Sequence, residues 1–362
     1  MHNGSSFRNV LCVRADNMGD VIMSSPAFRA LKETFDSNIT LLTSNAGAVV
    51  VPYLECIDDV IIADLPWVSA GNEKKTDLSD LIEDIKSRNF DAAVIFTVYS
   101  QSALPAALLL YMAGVPVRIA YTRENPYDLL THWFPDEEPY EYILHQVQRD
   151  LKLVNHLGAE VKNDNLLLDL HNSCERLFYQ KLYDLLPDLP GKPYIVLHPG
   201  VSEAKRQYPV SCWIDIGKMI VSEYKIPVLI SGSAKESAVA EVITKGIGKQ
   251  AICVAGVFTV GEFICLINQA YGLISVNTGT IHIAAATQTP TVVLYAQTNP
   301  QHTPWKSKHK ILPFSVAEHL KSRNAIISHV TAQYYSDTIP FPKPTLALDA
   351  LKELVGWGCK NA

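Results

Sequence analysis

A chain of 362 residues with 48% hydrophobic and 19% charged residues has apolar surface for two full cores, which excludes a disordered or fibrous protein. Its 37 acidic and 31 basic residues leave a net charge of −6, which argues against a general nucleic-acid binder. The seven cysteines, at 12, 56, 174, 212, 253, 265 and 359, form no CxxC and no Cys/His ligand spacing; they read as thiols in a reducing compartment.

The N-terminus lacks a basic-then-apolar signal. No apolar run approaches the roughly 20 residues that span a bilayer. The most apolar stretch, 102–117, is broken by Pro105, Gly114 and Pro116. The expectation is a cytoplasmic protein without a transmembrane segment.

In chain order, 10–14 (VLCVR) predicts a strand, 15–20 a polar turn and 21–34 a helix. Strands follow at 39–43 and 60–63, a helix at 77–88, a strand at 92–96 and a helix at 100–113. This alternation means βαβ crossovers and a parallel sheet. From 121 to 141 the period stops, and so long a loop in an α/β domain is usually functional. A helix at 144–157 ends at Gly158, and the Pro-rich stretch 185–193 reads as a linker. A second alternation then runs through strands at 194–197, 228–231, 252–254, 273–276 and 291–295, with helices at 211–223, 235–244, 260–268 and 281–287. Order is hard to read from 299 to 344, and 345–357 predicts a last helix. The predicted organisation is two Rossmann-like domains, 1–188 and 189–340, facing across a cleft. A C-terminal helix, 341–362, is expected to pack back on the first domain.

Three stretches carry candidate chemistry. In 14–20, Asp20 sits at a strand–helix turn, where a helix-capping carboxylate and a general base both fit. In 198–206 (HPGVSEAKR), a Gly-bearing loop with Ser202, Lys205 and Arg206 suits a diphosphate, although two solvated surface cations would look the same. In 270–300, a strand enters the turn Asn277-Thr278-Gly279-Thr280 and then a helix bearing His282. Free amides and the helix dipole favour an anion there, and a plain cap on a βαβ unit fits equally.

Together these stretches resemble glycosyltransferase family 9, the bacterial heptosyltransferase family of the GT-B fold. The resemblance rests on VLCVRADNMGDVIMSSPAFRALK at 10–32, LHPGVSEAKRQYPVSCW at 197–213 and SVNTGTIHIAAATQTPTVVLYAQTNPQHTPW at 275–305, in the family's order. It implies an α/β, GT-B type fold and an inverting, metal-independent transfer of a heptose-type sugar from a nucleotide diphosphate sugar, ADP-heptose, to an acceptor hydroxyl. Asp20 takes the role of base, beside Gly19. Gly19, Ser202, Lys205, Arg206, Asn277, Thr278, Gly279, Thr280 and His282 take the donor. Asn277 stands where an aspartate is usual, which leaves donor identity open. No Asp-x-Asp occurs in the chain.

Arg14, Asn17, Arg123 and Tyr127 are the acceptor-side candidates. The segment 121–141 carries Glu124, Asp128, Asp136, Glu137, Glu138 and Glu141 against Arg123, which points to a neutral or cationic soluble acceptor as the alternative to anionic lipopolysaccharide core. A lipid acceptor would bring peripheral membrane contact. A nucleotide-sugar epimerase and a non-catalytic sugar-nucleotide binder are the competing classes.

Overall fold

The structure, a computed structural model, describes residues 7–68, 75–187, 189 and 191–356. It divides into two compact units, Met1–Leu167 and Leu168–Ala362.

The first unit holds β1 (Asn9–Val13), β2 (Asn38–Thr43), β3 (Asp59–Ile62), β4 (Ala92–Ile95), β5 (Val117–Thr122) and β6 (His132–Pro135). All pair in parallel, in the order β3-β2-β1-β4-β5-β6. Its helices are α1 (Met18–Phe35), α2 (Asn45–Ala48), α3 (Leu78–Ser87), α4 (Leu104–Met112) and α5 (Gln146–Asn155). Leu11, Val13, Leu42, Ala93, Ile95, Ala107 and Leu110 form its core on one face of the sheet. Pro26 lies inside α1 and cannot donate to the carbonyl of Ile22. The Ser25 hydroxyl donates to that oxygen instead, at 2.8 Å, and the helix continues.

The second unit holds α6 (Asn172–Leu185), β7 (Ile195–His198), α7 (Val210–Tyr224), β8 (Val228–Ile230), α8 (Ser237–Ile247), β9 (Ala251–Cys253) and α9 (Val260–Asn268). It continues with β10 (Gly272–Val276), α10 (Gly279–Ala286), β11 (Thr291–Ala296), β12 (His309–Phe314), α11 (Ala325–Tyr334) and α12 (Pro344–Val355). Its parallel sheet runs β12-β11-β10-β7-β8-β9. Counted from its own first strand, this repeats the order of the first unit. Both sheets therefore reverse their strand order once, between β1 and β4 and between β7 and β10. In open parallel sheets, ligands bind at the carboxyl ends of the strands at such a reversal.

Several expectations are corrected. The stretch 121–141 is not structureless, because β5 ends in it and β6 lies within it. Arg118 interrupts the apolar run of β5; it is buried and donates to the carbonyls of Leu129 at 2.8 Å and Asp128 at 2.7 Å. The edge strand β6 buries no residue fully, so it shows no apolar run. The unassigned 299–344 contains β12 and α11, whose only buried helical residue is Val330.

The division falls before α6, and the 185–193 stretch lies within the second unit; residue 188 itself is outside the described residues. Phe178 and Leu182 bury the apolar stripe of α6, and Lys181 pairs with Glu262 at 2.7 Å. Ala347, Leu348, Leu351 and Leu354 of α12 belong to the second unit's own core, and Trp357 lies outside the described residues. Gly272 of β10 lies under α12, and a Cβ there would stand 2.8 Å from Leu351 Cδ1 and 3.3 Å from Val355 Cγ1, so those side chains would have to shift.

Candidate active site

In the first unit, β1 delivers the chain to the reversal beside β4. The turn after it is pinned by Ser44 Oγ, which donates to the Asp16 carbonyl at 2.6 Å, and by Gln101 Nε2, which donates to Asp16 Oδ1 at 2.7 Å. Asn17 caps α1 and is exposed, while Gly19 is buried in the first turn. Asp20 does both things its position allows. Its Oδ2 accepts the Asn17 N–H at 3.3 Å, and its Oδ1 lies 3.2 Å from Arg14 Nη2. The side chain keeps 15% of its surface, enough to meet a hydroxyl.

Arg14 has no accessible surface, so it is not available to an acceptor. It spans Asp20 and Asp16, the latter at 3.4 Å from Nε, and orients the two carboxylates. Arg123 is likewise committed, with Nη2 at 2.9 Å from Asp136. Tyr127 is 78% exposed, at a positive φ of 48°. Of the four acceptor-side candidates, Asn17 and Tyr127 stay open to solvent.

The acidic segment is also not what its composition suggests. Asp136 and Glu138 are buried against Arg149 of α5, whose guanidinium grips Asp136 at 2.7 and 3.0 Å and Glu138 at 2.6 Å. Arg149 also donates to the Thr97 carbonyl at 3.0 Å and lies 4.8 Å over the Tyr121 ring. Those charges are satisfied internally; Glu124, Asp128, Glu137 and Glu141 remain exposed.

In the second unit, two distant motifs meet at the other reversal. The loop after β7 carries Lys205 and Arg206, and Arg206 Nη1 donates to the Asn277 carbonyl at 3.0 Å, at the turn after β10. Lys205 Nζ sits 2.5 Å from Glu203 and Arg206 Nη2 sits 3.4 Å from it. Burial opposes the charge on Glu203, yet Arg206 and Lys205 bring its carboxyl below the usual range. Glu203 thus occupies the cations that a diphosphate would need. Ser202 is exposed on the same loop.

Thr278 caps α10 and its Oγ1 is buried without a hydrogen-bond partner; Thr280 and His282 are buried in the first turns. An orphaned hydroxyl and the first amides of α10, with Arg206 bonded to the turn just before them, form an anion-binding arrangement. Asn277 differs from expectation. Its amide is closed onto β11, accepting from Ala296 N and donating to Ala296 O and Thr298 Oγ1, so it fixes the turn and does not face a ligand.

At the end of β7, His198 Nδ1 lies 2.9 Å from Ser231 Oγ; burial holds the imidazole down to about 4, with Glu236 pulling the other way. Gly200 follows, where a Cβ would fall 2.5 Å from the Glu236 carboxylate, and a cavity of about 400 Å³ opens beside this contact. Among the described residues, no group of three or more His, Cys, Asp or Glu could hold a metal ion, and no helix is long and apolar enough to cross a membrane.

Sequence reasoning missed Glu203 as the partner of both cations, and Arg149 and Asp150 as buried charges. Glu203 was visible as the neighbour of Lys205 in the same loop. Arg149 and Asp150 gave no signal beyond two charges on a helical stretch.

The family model for glycosyltransferase family 9 (heptosyltransferase) matches residues 78–326. The lipooligosaccharide heptosyltransferase 2 of Haemophilus influenzae is 24% identical over 360 residues, covering 96% of this chain and 99% of that protein. The lipopolysaccharide heptosyltransferase 2 of Escherichia coli is 24% identical over 308 residues, covering 82% and 84%. Among solved structures, a glycosyl transferase family 9 protein from Veillonella parvula matches with a TM-score of 0.79 at 15% identity, covering 97% of this chain and 98% of that one. The E. coli ADP-heptose lps heptosyltransferase II matches with a TM-score of 0.71 at 18% identity, covering 96% and 98%. The two Rossmann-like units have the GT-B type of fold of these structures.

Proposed function

The chain belongs to glycosyltransferase family 9, and on that premise we propose that it moves a heptose-type sugar from ADP-heptose to an acceptor hydroxyl with inversion. It is a glycosyltransferase of the heptosyltransferase family; the donor, acceptor and residue roles are our reading. The observation that carries it is the bond from Arg206, the neighbour of Lys205, to the Asn277 carbonyl just before α10, at the strand-order reversal of the second unit. A sugar nucleotide has one feature that such a place selects, its diphosphate.

In this reading, the diphosphate displaces Glu203 from Lys205 and Arg206 and takes the Thr278 hydroxyl and the first amides of α10. Asp20 accepts the proton of the attacking hydroxyl as its oxygen bonds to the anomeric carbon. The bond from that carbon to the diphosphate oxygen breaks on the opposite face, and ADP leaves with the electron pair. The charge that develops on it is stabilised by the two cations and the helix dipole, and the account calls for no metal. The protein works at the cytoplasmic side, touching a membrane peripherally if its acceptor is lipid-borne.

The relatives' names point to a lipopolysaccharide-type acceptor. With Asp136 and Glu138 paired with Arg149 and Arg123, the objection to an anionic acceptor weakens. The four exposed carboxylates of 121–141 keep a second reading in play, a soluble neutral or cationic acceptor.

The test is incubation of the purified chain with ADP-heptose and either an inner-core lipopolysaccharide acceptor or an aminated soluble sugar. The expected result is acceptor-dependent ADP release with a heptose mass increment on the core acceptor. Increment on the soluble sugar alone selects the second reading. Donor turnover without any acceptor would indicate epimerase-type chemistry, and binding without turnover a non-catalytic binder.

A further inference from the structure

The reaction above leaves one chamber of the second unit unused, the cavity of about 400 Å³ beside Gly200 and Glu236. None of Lys205, Arg206 and Thr278 lines it. Its walls come instead from both ends of the loop that carries the two cations: Pro199 and Val201 where the chain leaves β7, Gln207 and Tyr208 where it enters α7. Trp213 of α7, Val239 of α8 and Phe341 also contribute. The Tyr208 ring stands edge-on to Trp213, with centroids 5.6 Å apart, and edge-on to Phe341 at 5.8 Å. Val239 and Phe341 are exposed, so apolar side chains meet solvent at the mouth.

The polar groups of the lining are not all satisfied. The Tyr208 hydroxyl donates to the Pro342 carbonyl, and the Glu236 carboxylate accepts the Ser233 N–H at 2.6 Å. Trp213 is 1% exposed, and its indole Nε1 is buried without a hydrogen-bond partner. A buried N–H with no acceptor destabilises the fold, and a phenylalanine would pack there without that penalty. Aromatic walls around one unsatisfied donor select a flat, uncharged ring that brings an acceptor atom, a carbonyl oxygen or a ring nitrogen.

We propose that this chamber is an effector site for a small uncharged ring compound with one hydrogen-bond acceptor, whose occupancy tightens nucleotide binding. The route is the loop itself. An occupant touches the chain before Ser202 and after Arg206, so it braces the span that holds Glu203, Lys205 and Arg206. With that span already ordered, the nucleotide has less ordering to impose. The coupling rests on the reading of Lys205 and Arg206 as the diphosphate site. Linkage then requires ADP to tighten the effector by the same factor.

The test uses coumarin, a neutral bicyclic ring with one lactone carbonyl, as the probe. The chain has five tryptophans, so the indole N–H spectrum of the ¹⁵N-labelled protein is sparse, and the peak lost in Trp213→Phe belongs to Trp213. Coumarin is expected to move that peak downfield and saturably, with a Kd of about 1 mM or below. Trp213→Phe should bind it about fivefold more weakly, the share of one hydrogen bond. Val239→Trp fills the mouth from an exposed position and should bind it at least about tenfold more weakly. In calorimetry at saturating coumarin, wild type should bind ADP about fivefold more tightly than without it, and Val239→Trp should show no such gain. A Trp213 peak that coumarin leaves in place overturns the inference, as does an ADP affinity that coumarin does not change. ADP that displaces coumarin outright also overturns it, by making the chamber part of the nucleotide site. A wild type that binds no ADP overturns the diphosphate reading and this inference with it, wherever the indole peak moves.

Discussion

Asn277 and Ala296 form a closed pair, with Oδ1 accepting the Ala296 N–H at 3.0 Å while Nδ2 donates to the Ala296 carbonyl at 3.1 Å. Only an amide can do both; a carboxylate would accept the first bond and face the carbonyl with a like oxygen. Asn277→Ala leaves two buried backbone groups unpaired and is expected to cost about 2 kcal/mol or more. That corresponds to roughly 4–8 °C in melting temperature for a unit of this size. Asn277→Asp should also melt below wild type. Thermal unfolding checks both, and an unchanged Asn277→Ala melt would show that the clip contributes nothing.

Glu203 stands on the two cations assigned to the diphosphate. Removing a competing carboxylate should raise nucleotide affinity. Glu203→Gln is expected to bind ADP about three- to tenfold more tightly, a modest gain because these groups are partly solvent-screened. Lys205→Ala should bind ADP about tenfold more weakly. Calorimetry with ADP at two salt concentrations measures both, and opposite signs are the diagnostic result.

Arg149 compensates two buried carboxylates at once. Arg149→Ala is expected to destabilise the first unit by about 3–5 kcal/mol, since Glu138 loses its guanidinium and Asp136 keeps only its ion pair with Arg123. Arg149→Lys should recover only part of that, because an ammonium cannot grip Asp136 with two parallel bonds. Urea unfolding followed by tryptophan fluorescence reports the difference.

His198 gives a pH signature in the second unit. Its native imidazole titrates at about 4 and its ordinary value is 6.5, so the unfolded chain binds the proton first as pH falls. The stability this contributes is whole above pH 6.5 and is lost as pH falls towards about 4. Burial lifts the Asp150 carboxyl of the first unit to about 6, so it acts with the opposite sign over an overlapping window. His198→Gln should flatten the acid side of the melting profile, and Asp150→Asn should steepen it. Melting temperatures from pH 4 to 7.5 separate the two.

What the sequence made legible was local. VLCV followed by a polar turn and a helix can only be a buried strand entering its crossover, and SVNTGTIHIAAATQTPTVVLYA has the same logic. These segments carry Asp20 and Thr278, and the loop after β7 carries Lys205 and Arg206, so the site's polar heads were readable. Their partners were not. Ser24 meets Asp150 across 126 residues, and Arg206 meets Asn277 across 71. The acidity of 121–141 was misread for the same reason, since Arg149 lies on a later helix. Strands β5 and β12 were lost because Arg118 and Pro313 interrupt the apolar run that marks a buried strand. The burial of Arg14 and the closed amide of Asn277 are tertiary facts, and residue type alone suggested a ligand for each.

The central claim is that Asp20 is the base and not merely the cap of α1. The most direct measurement compares Asp20→Asn with wild type in ADP-heptose turnover on a core acceptor, alongside ADP affinity on the same preparations. Turnover of Asp20→Asn is expected to be lower by about 10²–10⁴-fold, with ADP affinity within about twofold of wild type. Turnover close to wild type in a folded Asp20→Asn chain would contradict it.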